Sequence, residues 1–346
     1  MNDRIRFSIV IPMYNTEKYI SFALDSILRQ SVKSLYEVII INDGSTDNSY
    51  NVALSYKKKI KNLKIINKEN EGIIEARKDG LKNATGEYIV FLDSDDFLSD
   101  NCLEIFEEKI DAYSPDIIRG NFTEYYPDTN IYKKQQHFTD NLVILNKDNI
   151  DDFFYRIIGD YRYNDVVRQA FRRSLVNPSL IPNDICMGDD IAISYICFKN
   201  AKKVVFLNDT LYFYRINNSS ICHRRDEETL TKNVRDITLL YEFLFNFFNT
   251  MYSQKIIKKL YITYFKTINM YFSLFVYNSN NSKKIAEFCR EIFNYNLIKT
   301  ARINLKIFDI VSKDFLLLVF ILKNKRDLYL FCLKFKKIIR KLLRKN

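Results

Sequence analysis

The sequence predicts an α/β fold: a Rossmann-like, mostly parallel sheet flanked by helices, followed by an α-helical C-terminal region. Three observations predict it. Short apolar runs rich in β-branched residues alternate with helical patterns over the first hundred residues. Such runs read as strands buried on both faces, and their alternation with helices means βαβ units. Turn-forming and acidic residues follow three of the runs, at 12–15 (PMYN), 42–45 (NDGS) and 93–96 (DSDD). Parallel sheets bind ligands beyond the carboxyl ends of their strands, so these three segments are expected at one functional edge. Past about residue 225 the strand patterns stop and long helical ones take over.

Residues 7–11 (FSIVI) form the first expected strand, bounded by Pro12. Asn15 or Thr16 is expected to cap a helix whose apolar positions, Ile20, Ala23, Leu24, Ile27 and Leu28, repeat at helical spacing. Residues 38–41 (VIII) are the second strand, and 47–59 the second helix. Residues 64–67 (KIIN) are a short third strand, 72–83 a third helix and 88–92 (YIVFL) a fourth strand. Residues 117–126 and 204–214 follow as strands, with a helix-like stretch at 151–158 between them. Residues 227–248, 254–276 and 282–293 read as helices. The expected division is 1–222, with halves near 1–103 and 104–222, and then 223–346. No internal repeat interrupts it.

The chain has 346 residues, 47% of them apolar, which is ample for a core. Only 7 Gly and 5 Pro argue against long flexible linkers. Cys102, Cys186, Cys197, Cys222, Cys289 and Cys332 form no Cys-x-x-Cys pair, so a zinc site has no support. Residues 1–6 are polar and lead straight into the first strand. Reduced cysteines and a cytoplasmic chain without a secretion signal are therefore expected. Dinucleotide and P-loop fingerprints are missing from the sequence. The net charge is +11, but residues 321–346 carry ten Lys/Arg against Asp327 alone. A nucleic-acid footprint over the whole chain is thereby excluded, and the basic tail needs its own explanation.

The stretch VFLDSDDFLSD packs Asp93, Asp95, Asp96 and Asp100 into eleven residues. Like charges this close raise one another's pKa. A divalent cation would offset that cost, because carboxylate oxygens suit Mg²⁺ and Mn²⁺. A solvated loop of Asx turns, with Asp100 capping the next helix, is the structural alternative. The EF-hand spacing is not met. Asp189 and Asp190 form a second acidic pair, which also fits a helix N-terminus stabilised by its dipole.

The segments FSIVIPMYNTEKYISFALDSILRQS, IIINDGSTDNS, NEGIIEARKDGLKNATGEYIVFLDSDD and MGDDI occur in that order. Together they resemble the family 2 glycosyltransferases of the GT-A fold. The resemblance extends through VVRQAFRRSLV and LYFYRINNSSI and then fades. It implies an inverting transferase that takes a sugar from a nucleotide donor, UDP-linked by expectation. By resemblance Pro12 and Tyr14 flank the base, Asp43 bonds its edge, and Gly44 lets the turn pass close. Arg77 sits near the diphosphate or ribose. Asp93 contacts ribose or metal, and Asp95 ligates Mn²⁺ or Mg²⁺, with Asp96 and His223 as further candidates. Asp190 matches the catalytic base, and Asp189 stands where relatives carry Glu. Arg215 meets the leaving diphosphate. Gln169 replaces a usual lysine on the acceptor side. The chemistry agrees: glycosyl transfer is oxocarbenium-like, a metal neutralises the leaving group, and a carboxylate takes the acceptor proton.

From Leu328 onward, Leu328, Phe331, Phe335, Ile338, Ile339 and Leu342 fall on one helical arc, and six basic residues fall on the other. Such a helix suits an anionic membrane surface. The expected location is then the inner face of the cell membrane, where a glycan or lipid-linked acceptor of surface polysaccharide synthesis is built. A catalytically inactive, nucleotide-sugar-binding scaffold of an assembly complex is the alternative.

Overall fold

The computed structural model describes residues 4–139, 142–146, 152–153, 155–183, 185, 187–217, 226–249, 254–279 and 281–294. His223, Cys186, the boundary expected at 222/223 and the basic tail 321–346 lie outside the described residues.

The described chain forms two compact units. Residues up to Asn183 together with Asp189–Asn217 make the first. It opens with β1 (Phe7–Met13), α1 (Ile20–Leu28), β2 (Tyr36–Asp43), α2 (Ser49–Ser55), β3 (Leu63–Lys68), α3 (Ile73–Asn83) and β4 (Tyr88–Phe91). Then come β5 (Phe97–Leu98), α4 (Cys102–Tyr113), β6 (Ile117–Tyr126), β7 (Ile131–Gln135), β8 (Leu142–Asn146) and β9 (Gln169–Arg172). α5 (Asp189–Asn200) and β10 (Lys203–Arg215) complete it.

All ten strands join one sheet, in the order β3-β2-β1-β4-β9-β6-β10-β5, with β7 on β6 and β8 on β10. β1 pairs parallel with β2 and β4, β2 with β3, and β6 with β10. β9 is antiparallel to both β4 and β6, so it inserts between two parallel blocks without reversing their sense. The carboxyl ends of β1, β2, β4, β6 and β10 therefore share one edge. That edge carries 42–45, 93–96 and Arg215.

The core lies between sheet and helices. Ile9, Ile11, Ile40 and Val90 of the strands and Ile20, Ala23, Leu24 and Ile27 of α1 are inaccessible or nearly so. α3 lies close on β1 because Gly80 faces Val10: a Cβ on Gly80 would stand 2.2 Å from Val10 Cγ1.

Three local expectations are corrected. Pro12 does not bound β1 but lies within it, paired to Ile41 of β2. The β1–β4 ladder ends at Val10 and Phe91, so a residue without an N–H is tolerated there. Neither Asn15 nor Thr16 caps α1 with its side chain; the N-cap is Tyr19, without a side-chain bond. Asn15 instead has φ +51° and its Oδ1 accepts from Thr46 N at 2.8 Å, tying the β1 loop to the β2 loop. Asp100 does not cap α4 either: it accepts from Arg29 Nε at 2.7 Å, and Asn101 is the N-cap.

The second unit contains α6 (Glu227–Asn249), α7 (Gln254–Asn278) and α8 (Ser282–Asn294). Aromatic side chains hold it together. Phe245 of α6 lies 4.0 Å from Tyr261 of α7, centroid to centroid, and Phe275 of α7 stacks on Phe288 of α8 at 3.9 Å. Among the described residues no helix is long and apolar enough to cross a membrane.

Candidate active site

One buried arginine organises the carboxylates at the sheet edge. Arg77, in the second turn of α3, is 3% exposed. Its Nη2 donates to Asp93 Oδ1 at 2.9 Å, and its Nη1 donates to both Asp189 Oδ2 and Asp190 Oδ1. Phe91 of β4 covers one face of the guanidinium, 5.7 Å from ring centroid to Cζ. Burial alone would lower the Arg77 pKa; Asp189, Asp190 and Asp93 outweigh it and hold the group charged. Sequence separations of 16 to 113 residues are thus closed onto a single cation. Lys78, the next residue, donates to Glu75 Oε1 at 2.8 Å and to Asn183 Oδ1, which ties the loop ahead of α5 to the same helix.

The acidic pair is asymmetric. The Asp189 side chain is 7% exposed and that of Asp190 35%. Burial of the site pushes the Asp190 carboxyl up, Arg77 opposes, and Asp189 and Asp93 push it up further; the net direction is up. Asp190 is therefore the accessible member, and its affinity for a proton is raised.

The 93–96 segment forms a turn, with Asp96 N donating to Asp93 O at 3.1 Å. Asp95 is partly buried; burial first, then the charge of Asp93, push its carboxyl up to about 6. Asp96 is 1% exposed. Its Oδ2 accepts from the Tyr212 hydroxyl at 2.7 Å and its Oδ1 from Arg215 N at 2.7 Å. Burial, Asp95 and Asp93 push the Asp96 carboxyl up as well. Both Asp96 oxygens are thus engaged by β10.

Arg215 is 4% exposed at the end of β10. Its Nε donates to the Asp95 carbonyl at 2.9 Å. Phe22, Tyr125, Tyr19 and Phe97 surround its Cζ at 4.4, 5.1, 5.5 and 5.7 Å. Its Nη2 is buried without a hydrogen-bond partner, a state that costs about 1–3 kcal/mol.

At the end of β2, Asp43 is 3% exposed, and its carboxylate accepts from Glu71 N at 2.9 Å and Gly72 N at 2.8 Å. It thus fixes the entry to α3, and with it Arg77. Gly44 has φ +71°, and a Cβ there would stand 2.7 Å from Asn70 N, so glycine is required twice over. Pro12 is buried in β1, and Tyr14 just beyond it is 49% exposed.

Asp93, Asp189 and Asp190 therefore meet at Arg77, Arg215 joins Asp95 and Asp96 of the same turn, and Pro12, Tyr14, Asp43 and Gly44 lie at the ends of β1 and β2 on the same edge. Sequence reasoning missed Tyr212 and the rings about Arg215. The signal for Tyr212 was present in LYFYR, an aromatic run ending in a cation at a strand end, whereas the rings, Tyr19, Phe22, Phe97 and Tyr125, come from distant segments. Also unforeseen is a second charged cluster, where Asp165 accepts from Arg119 Nη2 at 2.6 Å and Arg168 Nη2 at 2.8 Å, both arginines being wholly buried. Gln169 accepts from Arg119 Nη1 at 2.8 Å there.

A family model described as "Glycosyl transferase family 2" matches residues 8–175. A glycosyltransferase GlyG of Streptococcus pneumoniae serotype 4 is 28% identical over 237 residues, 66% of this chain and 77% of that protein. The uncharacterized glycosyltransferase EpsJ of Bacillus subtilis is 31% identical over 221 residues, 62% of each chain. Among solved structures, Staphylococcus aureus TarS 1–349 in complex with UDP-GlcNAc superposes with a TM-score of 0.56 at 21% identity, covering 88% of this chain and 93% of that one. The GT-A fold is shared with that protein.

The Asp95 shift predicts a pH signature in the metal-free chain. A carboxyl at about 6 when folded, against the ordinary ~3.9 unfolded, disfavours the folded state once it ionises. Stability is then lost as pH rises through about 6. Asp95→Asn escapes that loss. In EDTA at pH 8 the variant should melt above the wild type, and the gap should close below pH ~4. A variant that melts lower at pH 8 contradicts the assignment.

Proposed function

The chain belongs to glycosyl transferase family 2 through residues 8–175, and from that premise we propose the reaction it performs. It moves a sugar from a UDP-linked donor to a hydroxyl of a glycan or lipid-linked acceptor in bacterial surface polysaccharide synthesis. The observation that carries this reading is the gathering of Asp93, Asp189 and Asp190 on Arg77, with the Asp190 side chain 35% exposed.

The residues fit a divalent cation. Asp93 and Asp95 offer hard oxygen donors, and Asp95 carries a carboxyl raised by burial and by neighbouring negative charge, a condition that a cation relieves. Among the described residues no three His, Cys, Asp or Glu side chains are grouped to hold an ion alone. Mn²⁺ and Mg²⁺ characteristically take one or two carboxylates and complete their shell with substrate phosphates and water. Asp95, with Asp93 beside it, would hold the ion, which when bound neutralises charge on the departing diphosphate.

The chain's own residues do the rest. Tyr14 offers an exposed ring at the nucleotide side, and Gly44 keeps the adjacent turn open to the base. Asp190 takes the proton from the acceptor hydroxyl as its oxygen bonds to the anomeric carbon and the bond to UDP breaks. Attack opposite the leaving group in one step inverts the anomeric centre. A raised proton affinity suits this base, since catalytic groups work best with pKa near the operating pH. Asp189, buried against Arg77, orients the pair.

The tail 321–346 adds a surface contact in this reading. Its ten basic residues and apolar arc bind anionic lipid and hold the site where a lipid-linked acceptor is available. Flotation with phosphatidylglycerol liposomes should carry the full chain and leave behind a chain ending at residue 320. Equal flotation of both removes the tail from the account.

Asp190→Asn should lower sugar transfer about 10²–10⁴-fold while UDP affinity stays within twofold. Release of UDP from a panel of UDP-sugars with Mn²⁺ measures the first quantity and calorimetry the second. A wild-type chain that binds UDP-sugars and never turns them over is a scaffold, and this reading then fails.

A further inference from the structure

β10 makes four polar contacts with the loop that carries Asp93 and Asp95. The Tyr212 hydroxyl donates to Asp96 Oδ2 at 2.7 Å and accepts from Asp93 N at 3.3 Å. Arg215 N donates to Asp96 Oδ1 at 2.7 Å, and Arg215 Nε donates to the Asp95 carbonyl at 2.9 Å. Tyr212 is inaccessible and Arg215 nearly so. The contacts join positions 116 to 120 residues apart, so nothing local to the loop enforces them.

The sheet places the two strands to do this. β5, directly after the loop, pairs antiparallel with β10 through Leu98 with Tyr212 and Phe97 with Phe213. Ser99 N donates to Leu211 O at 3.1 Å. The loop is thus stapled at its far end by backbone and at its turn by Tyr212 and Arg215. The aromatic rings about Arg215 come from α1, β5 and β6, three other elements. They fix the guanidinium without supplying an anion: among the described residues no carboxylate accepts a hydrogen bond from its side-chain nitrogens. What its Nε grips is the peptide carbonyl of Asp95 and not the carboxylate.

We propose that Tyr212 and Arg215 are positioning residues that hold the 93–96 turn so that the Asp95 carboxylate faces the donor's diphosphate and cation. Asp96 is the internal anchor of this device. Its two oxygens are spent on β10, so its own charge serves loop geometry rather than ion binding. Arg215, placed near the leaving diphosphate by family resemblance, acts here through the Asp95 peptide. The inference rests on the metal-assisted, UDP-binding reading given above.

The test uses the full chain with UDP, uridine and Mn²⁺ as probes. Tyr212→Phe keeps the buried ring and removes one hydroxyl; Arg215→Lys keeps the charge and removes the Nε bond. Calorimetry in the presence of UDP gives the Mn²⁺ affinity, and uridine alone, which has no phosphate, reports the nucleoside pocket. Both variants should bind Mn²⁺·UDP about 10–100-fold more weakly, the usual consequence of losing a group that orients a metal ligand. Uridine affinity should stay within twofold. Mn²⁺ affinity equal to wild type in both variants overturns the inference, and so does a uridine affinity that falls in step, which marks a merely structural role. If UDP binding to the wild type itself ignores Mn²⁺, the metal reading fails and this inference falls with it. The wild-type measurement therefore separates the two failures.

Discussion

A guanidinium that is 3% exposed stays charged only if anions repay its lost hydration, and Arg77 takes those anions, three carboxylates, from two places in the chain. The consequence is geometric. Asp93 at the end of β4 and the Asp189–Asp190 pair at the start of α5 must stand within reach of one planar cation. Side chains of α3, the end of β4 and the start of α5 are thereby brought to one spot. α3 supplies the arginine, and Asp43 fixes how α3 enters by binding the two amides ahead of it. Gly80 in turn lets the helix lie close to β1. Breaking a buried arrangement of this kind by removing one partner typically costs about 3–5 kcal/mol.

The charge count around Arg77 explains why the site is poised rather than merely stable. Five carboxylates, of Asp93, Asp95, Asp96, Asp189 and Asp190, face Arg77 and Arg215. Burial first, and neighbouring negative charge after it, raise the proton affinities of Asp95, Asp96 and Asp190. Each has a different outlet. Asp96 is satisfied internally by β10, the Asp190 side chain is the more exposed of the pair on Arg77, and in the proposed reaction Asp95 is the one a cation would relieve. Unrelieved charge of this sort lowers fold stability, and functional sites are where such a cost persists.

Much of this was legible in the sequence, and for physical reasons. β1, β2 and β4 announce themselves as apolar β-branched runs because both their faces are buried, the half-exposed edge strand β3 by its short KIIN run, and the helices between them by their spacing. Asp93 and Asp95 could be placed at the sheet edge from the run before them alone. β9 was not legible: Gln169–Arg172 is four residues long and half polar, and it is a strand only because β4 and β6 both offer it an edge. β5, two residues long, exists only by pairing with β10. Tyr212 was hidden for a similar reason, since its partners lie 116 and 119 residues away. The caps failed where loops chose long-range partners, as with Asn15 on Thr46 and Asp100 on Arg29, over their own helices.

The most direct measurement is an anomalous difference map from crystals of this chain grown with UDP and Mn²⁺. The account predicts one manganese peak at the Asp95 carboxylate, shared with the UDP diphosphate, on the edge that also presents Asp190. UDP bound at that edge with no manganese at Asp95, or manganese held elsewhere in the chain, would contradict it.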